Sequence, residues 1–592
     1  MTGRRGAATP SSADTILQGA GAHGIAGGDG GARLALLAVC AGWLAFFAVY
    51  GFHGFNFRED GYLLTLAERM LRGDVPYRDV SYLRPPLSIA IQAALLRWVS
   101  GYAVAASRWY LALQVTGILV VTFALLRRVE PSAPTRALYA LGAVVYAFTG
   151  GWTPMPWHTV DGIFCSALAT WALVVAGERG SPGLAFVAGT MAGAAALAKQ
   201  GFVVVVLGGL VLTLTRPDRA IGRRWWGGAF WYLGGVGLLA AFTAAYLLRH
   251  DALAAFVESV VLAPREITRA VFQKNALDLL VRMHLPYWIG AVVGLAFLAL
   301  AALPMAGRAR LALAAGVGLW LLATLWVGDA GRRVQWHFLV QPVYTTIWIA
   351  GVGLLVVRAW GRVRLGTGAA WAITLALCTL YASSWSFVGI RLALGHVLAL
   401  PLTLLALVWR DPAEAVGADP SRPGRRFAAA GVMVYAALFM AFLQIAVPSL
   451  DASRLGGAVP FRTERLAGIR SSPLRVRGID GVVELVRRET DAGDYVLAFM
   501  DFPGLYFLTG RRNPTRVDWF LPEELTRAEA ERALADLRAR PPRLVILAAL
   551  HPTEMVGHAH LLPILGHILE RYDQGEAIGE FLVYRPRGAA PR

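Results

Sequence analysis

The sequence predicts an α-helical polytopic membrane protein of about thirteen transmembrane helices, closed by a small C-terminal extracytoplasmic α/β domain. Three observations lead there. The chain of 592 residues is 56% hydrophobic and only 16% charged, far from the composition of soluble domains. Apolar runs of the roughly 17–25 residues that cross a bilayer recur between Ala32 and Val447. The net charge of +18 is almost all arginine, and much of it sits in short connections between those runs. That is the positive-inside pattern of a membrane protein and not a patch for nucleic acid.

Taken in order, residues 1–33 are rich in Gly, Ala and Ser and read as a disordered cytoplasmic tail. Leu34–Phe52 has a basic flank without a small-residue cleavage site, the pattern of a retained signal anchor. Five arginine clusters then mark cytoplasmic connections: Arg127, Arg128 and Arg136; Arg216, Arg219, Arg223 and Arg224; Arg308 and Arg310; Arg358, Arg362 and Arg364; Arg410, Arg422, Arg425 and Arg426. With these and the N-terminus inside, spans fall near 34–52, 106–126, 136–150, 161–177, 183–199, 201–215, 226–247, 286–306, 310–327, 342–358, 368–390, 394–409 and 427–448. Residues 34–448 thus form the membrane domain, with a first outer loop at 53–105.

The stretch 183–215 is apolar almost throughout, yet as one helix it would span about 50 Å against a ~30 Å hydrocarbon core. Two short spans turning outside at Lys199-Gln200-Gly201 resolve the mismatch. Residues 449–592 lie outside and change character. Tyr495–Met500, Leu544–Ala548 and Phe581–Tyr584 read as strands, whereas Gly481–Glu489, Pro522–Arg540 and Leu561–Tyr572 have helical periodicity. Cys40, Cys165 and Cys378 lie within apolar runs and read as small buried residues, forming neither a disulfide framework nor a thiolate metal site.

Chemistry concentrates in the polar interruption His53–Pro85. Glu59 and Asp60 follow the first span directly. Leu63, Leu66, Ala67, Met70 and Leu71 then share one helical face, with Glu68, Arg69 and Arg72 on the other, which suits a helix lying in the membrane interface. Asp60 stands where a carboxylate would cap that helix, a role compatible with catalysis. Past Gly73 the chain turns back, and Arg84-Pro85-Pro86 stops any helix from running through the junction. Lys199 is an ionisable group at membrane depth, either functional or a snorkelling turn residue. Trp152 and Trp157 fit an interfacial belt, and His158 with Asp161 does not by itself make a site.

In its order of an acid pair, Gly61-Tyr62, an amphipathic helix ending in Arg72-Gly73, Pro76-Tyr77-Arg78-Asp79 and Arg84 before two prolines, this loop resembles the GT-C glycosyltransferases. It is most similar to the bacterial branch holding lipid A aminoarabinose transferases and relatives of protein O-mannosyltransferases. Ala198-Lys199-Gln200-Gly201 and Gly504–Arg511 are similar to that branch as well. The resemblance implies transfer of a hexose or pentose from a polyprenyl-phosphate sugar to the hydroxyl of a glycan, lipid or protein acceptor. The setting implied is the outer face of the inner (plasma) membrane, with inversion at the sugar. It also implies that one acid of the pair is the general base. Glu59 occupies the usual place, but this chain has Glu-Asp where many relatives have Asp-Glu, and Asp60 has the shorter, better fixed side chain.

Arg84 matches the residue that contacts the carrier phosphate, for which a bidentate guanidinium is suited. Leu83 stands where many relatives carry an acid, which leaves Asp79 as the second carboxylate, with Tyr82 beside it as a substrate contact. Arg332, Arg333 and His337, opening the span near Gln341, are candidates for the donor phosphate as well. The motifs identify no certain cofactor, and a divalent cation stays open because only some GT-C enzymes need one. With no P-loop and no Gly-rich nucleotide loop after a strand, a nucleotide-sugar donor is disfavoured. The rival class is a transporter or flippase of a lipid-linked glycan, whose ionisable groups sit near the midplane. Here they cluster at the outer ends of spans.

Overall fold

In the computed structural model the described residues are 29–57, 60–99, 101–129, 155–215, 226–265, 349, 351–356, 358–360, 366–383, 457–500, 502–521, 525–548 and 559–588. The expected spans near 136–150, 286–306, 310–327, 394–409 and 427–448, most of that near 342–358, and nearly all of the N-terminal tail lie outside them. So does any full count of spans.

The helices described between residues 29 and 383 include α1 (Asp29–Tyr50), α2 (Tyr62–Leu71), α3 (Leu87–Trp98), α4 (Ala103–Val129), α5 (His158–Arg179), α6 (Pro182–Ala198), α7 (Val203–Leu214), α8 (Trp226–Arg249) and α9 (Thr367–Ser383). Three of them, in α4, α5 and α8, are long and apolar enough to cross a membrane; α3, α6, α7 and α9 are apolar but shorter. The α5–α6 reversal is written in three residues. Gly180 takes a left-handed φ of 65° that ends α5, Ser181 caps α6 by accepting from Leu184 N, and Pro182 starts it.

The break between α6 and α7 falls at the expected turn. Lys199 is extended (φ −154°, ψ 131°) and Gln200–Phe202 make a single 3-10 turn. The two helices fold back on each other. Side-chain positions added to Gly189 and Gly209 would both strike Tyr232, at its carbonyl (1.9 Å) and its hydroxyl (2.3 Å). In one straight helix residues 20 apart would be about 30 Å from each other. Small residues allow this closeness, and the two helices share an apolar core with Ile163, Ala172, Leu173, Tyr232 and Leu377.

The C-terminal segment holds α10 (Pro473–Glu489), β1 (Val496–Phe499), α11 (Gly504–Thr509), α12 (Arg527–Ala539), β2 (Leu544–Ala548), α13 (Leu562–Arg571), β3 (Tyr572–Ile578) and β4 (Phe581–Pro586). The strands form one sheet in the order β1-β2-β4-β3, parallel between β1 and β2 and antiparallel elsewhere. Strands β1, β2 and β4 send alternate residues to two cores. Val496, Ala498, Leu544, Ile546, Phe581 and Val583 enter one; Leu497, Phe499, Val545 and Tyr584 enter the other. Strand β3 was not expected: its sequence YDQGEAI is polar, and it forms an exposed edge of the sheet.

This domain docks on the first loop. Phe57 packs edge-on against Phe502 and Phe581 at 5.4 and 5.3 Å between ring centroids. Thr65 Oγ1 donates to the Pro503 carbonyl at 3.0 Å, and Gly61 meets Gly504 so closely that a Cβ on Gly61 would lie 2.3 Å from its Cα. Loop and domain therefore pack as one unit. Helix α2 does not present a bare face to the membrane interface as its pattern suggested. Leu63, Leu66 and Ala67 are buried against Trp43 and Phe47 of α1, Ile89 of α3 and Leu111 of α4, and its polar face is bound by the domain: Glu68 pairs with Arg465 and Arg69 with Asp518, at 2.7 and 2.9 Å.

Candidate active site

Asp60 lies at the mouth of α2 but does not cap it; the cap position is Gly61, and no side chain serves the helix N-terminus. Its Oδ2 instead accepts from Asn56 N at 2.9 Å and from the Arg108 guanidinium at 2.7 Å. Both side chains of this pair are fully buried. Arg108 also donates to the carbonyls of Gly51 (2.9 Å) and Gly54 (2.8 Å), tying the end of the first span to α4. The other oxygen, Oδ1, is buried without a hydrogen-bond partner among the described residues. Burial pushes the Asp60 carboxyl above its ordinary range, and the charge of Arg108, with the bond from Asn56, opposes that rise. Sequence reasoning missed Arg108. The signal was present, since an arginine at the start of an apolar run is a functional or structural anchor by default.

Arg84 and Lys199 come together from distant parts of the chain. Arg84 sits over the Trp157 ring, 5.9 Å from its centroid, within cation–π range. Lys199 is buried, with Nζ 3.4 Å from Thr159 Oγ1, and so is not a snorkelling turn residue. Trp157 and Thr159, which these two cations contact, flank the buried His158. The two segments are bonded directly: Gln200 Nε2 donates to the Leu83 carbonyl at 2.9 Å. His158 Nδ1 is buried with no hydrogen bond among the described residues. Tyr62, two residues after Asp60, joins the same group, its ring 6.4 Å from both Trp157 and Tyr82 and 5.0 Å from Trp519 of the C-terminal domain.

The other expected residues are placed differently. Tyr82 is fully buried and packs between the rings of Tyr62 and Tyr77, each at 6.4 Å. Asp79 turns its carboxylate to its own loop, accepting from Arg78 at 3.0 and 2.8 Å and from Val75 N at 2.8 Å. The bonds from Arg78 hold it below the usual carboxylate range. A second buried carboxylate is instead Asp161, one turn into α5, which accepts from Ser88 (2.6 Å), Tyr110 (2.9 Å) and Gln114 (2.6 Å). Glu59, Arg332, Arg333 and His337 lie outside the described residues. Among the described residues no three His, Cys, Asp or Glu side chains form a group able to hold a metal ion.

No family model and no curated protein matches the chain. Solved structures do. ArnT from Cupriavidus metallidurans bound to undecaprenyl phosphate matches at 14% identity and a TM-score of 0.44, covering 95% of this chain and 100% of that one. The oligosaccharyltransferase AglB from Archaeoglobus fulgidus matches at 12% and 0.44, over 94% of this chain and 75% of that one. The arabinosyltransferase EmbB from Mycobacterium smegmatis matches at 15% and 0.36, over 79% and 44%. TM-scores below 0.5 leave the function to be argued from the site itself.

Proposed function

We propose that the protein is a membrane glycosyltransferase that moves a sugar from a polyprenyl-phosphate carrier to an acceptor hydroxyl on the extracytoplasmic face. The observation that supports this most is the bond from Gln200 to the Leu83 carbonyl, which joins the turn carrying Lys199 to the segment carrying Arg84, the two cations meeting Thr159 and Trp157, the neighbours of His158 in the chain. The carrier's tail lies in the bilayer, so its phosphate sits at headgroup depth, where such a pair can meet it. Phosphate leaves readily without protonation, unlike the leaving group of most glycosidases. The site therefore needs one base and a stabiliser of the departing charge. A first-loop carboxylate, Asp60 or Glu59, takes the acceptor's proton, a step worth about 10²–10⁴ in rate. The acceptor oxygen then bonds to the anomeric carbon on the face opposite the phosphate, inverting it. The carbon–oxygen bond to phosphate breaks, and Arg84 and Lys199 receive the released charge. Asp60 suits the base because Arg108 fixes one of its oxygens and the other makes no hydrogen bond among the described residues.

The test uses the purified protein in vesicles with radiolabelled polyprenyl-phosphate sugars and extracted envelope acceptors. Asp60→Asn or Glu59→Gln is expected to lower transfer by at least about 10²-fold while insertion stays normal. Full activity in both variants and in the double variant contradicts the base assignment. Movement of intact carrier between leaflets, without a glycosylated product, contradicts the enzyme.

A further inference from the structure

We propose that Tyr77 is a positioning residue for Arg84, through which docking of the C-terminal domain sets the phosphate-binding guanidinium; this rests on the role given to Arg84 above. Tyr77 has φ +73°, a left-handed backbone that bulky side chains rarely adopt and that persists only where surroundings enforce it. The enforcing contacts are on hand. Its N–H donates to the Val80 carbonyl at 2.8 Å. Its carbonyl accepts from the guanidinium of Arg516, a residue of the C-terminal domain. Ser81 N in turn donates to the Arg516 carbonyl at 2.8 Å, so the domain grips the turn at two points. The ring is fully buried and packs edge-on against Phe256, at 5.1 Å.

What this strained residue does with its one polar side-chain atom gives the inference its direction. Tyr77 Oη donates to the carbonyl of Arg84 at 2.8 Å. That carbonyl belongs to the Arg84–Pro85 peptide, and the proline already narrows the backbone choices of Arg84. The preceding carbonyl, of Leu83, is held by Gln200. Arg84 thus leaves a backbone pinned at two consecutive carbonyls, one by the Lys199 turn and one by Tyr77. A guanidinium that must meet phosphate oxygens in a fork benefits from such fixing, because less freedom is lost on binding.

The experiment measures equilibrium binding of radiolabelled undecaprenyl phosphate to the full-length protein in nanodiscs. Tyr77→Phe keeps the ring and removes the hydroxyl; it is expected to raise Kd about three- to tenfold, the equivalent of one hydrogen bond. Arg516→Ala is expected to act in the same direction, and the two effects should not multiply in the double variant. Tyr572→Phe, which removes a comparable buried bond to the Pro542 carbonyl (2.9 Å) within the C-terminal domain, is expected to leave Kd unchanged. If Arg84→Ala weakens binding but Tyr77→Phe does not, the positioning role is wrong and the phosphate site stands. If Arg84→Ala has no effect, the reading of Arg84 itself fails. An equal rise in Tyr572→Phe means general loosening and overturns the proposal, and an unchanged Arg516→Ala removes the link to the domain.

Discussion

Burial and Arg108 pull the Asp60 carboxyl in opposite directions, so the charge state of the proposed base depends on one buried arginine. A base works only when ionised, and its activity falls as pH drops through its pKa. Burial has moved that point above the ordinary 3.8, and the guanidinium restrains the rise. Removing the guanidinium is therefore expected to shift the acid limb of kcat/KM to higher pH. Arg108→Gln should show this shift, at a stability cost of about 3–5 kcal/mol for an orphaned buried charge, while Arg108→Lys should keep the limb nearer its original place. An unmoved limb in Arg108→Gln means Asp60 is not the titrating base and points to Glu59. At this scale the sequence singled out the acids and Arg84 as candidates, by their order between the first span and a proline pair. It could not announce that the Asp79 carboxylate serves its own loop, because only the folded turn shows where a short side chain spends its hydrogen bonds.

Among elements, hydrophobic length carried most information. The turn at Lys199 followed from a run too long for one span, and the hairpin of α6 and α7 has its break there. Strands β1, β2 and β4 stood out as apolar runs. Strand β3 did not, because an exposed edge needs no apolar alternation and is held by its backbone bonds to β4. Helix α2 misled for a related reason. An amphipathic pattern says that one face is covered, not whether lipid or protein covers it. Protein covers it here, from α1, α3 and α4, and the Gly504–Thr509 segment, far away in sequence, packs beside it at Gly61. The contact also makes a sharp test. A Cβ at Gly61 would meet backbone at 2.3 Å, with no flexible side chain to yield, whereas one at Gly504 would stand 3.1 Å from Gly61 Cα. Gly61→Ala is expected to destabilise the docked state by about 1–3 kcal/mol or more, and Gly504→Ala by less. Thermal unfolding of the two variants checks that order; equal and negligible effects would mean that the domain does not seat there.

Across the whole molecule, two regions separated by most of the chain build one structure around the proposed site. Arg69 of the loop helix reaches Asp518, Thr515 and the Asp79 carbonyl together, and Trp519 joins the aromatic group that includes Trp157. The C-terminal domain is thus a wall of the loop and not an appendage, a relation that charge patterning alone had reduced to a shared side of the membrane. The proposal assigns that side to the extracytoplasmic face and the site to a carrier phosphate. The most direct test is a density map of the protein with undecaprenyl phosphate bound. The expected result is a phosphate within hydrogen-bond reach of both the Arg84 guanidinium and Lys199 Nζ. A headgroup held elsewhere, with those two cations unengaged, would contradict it.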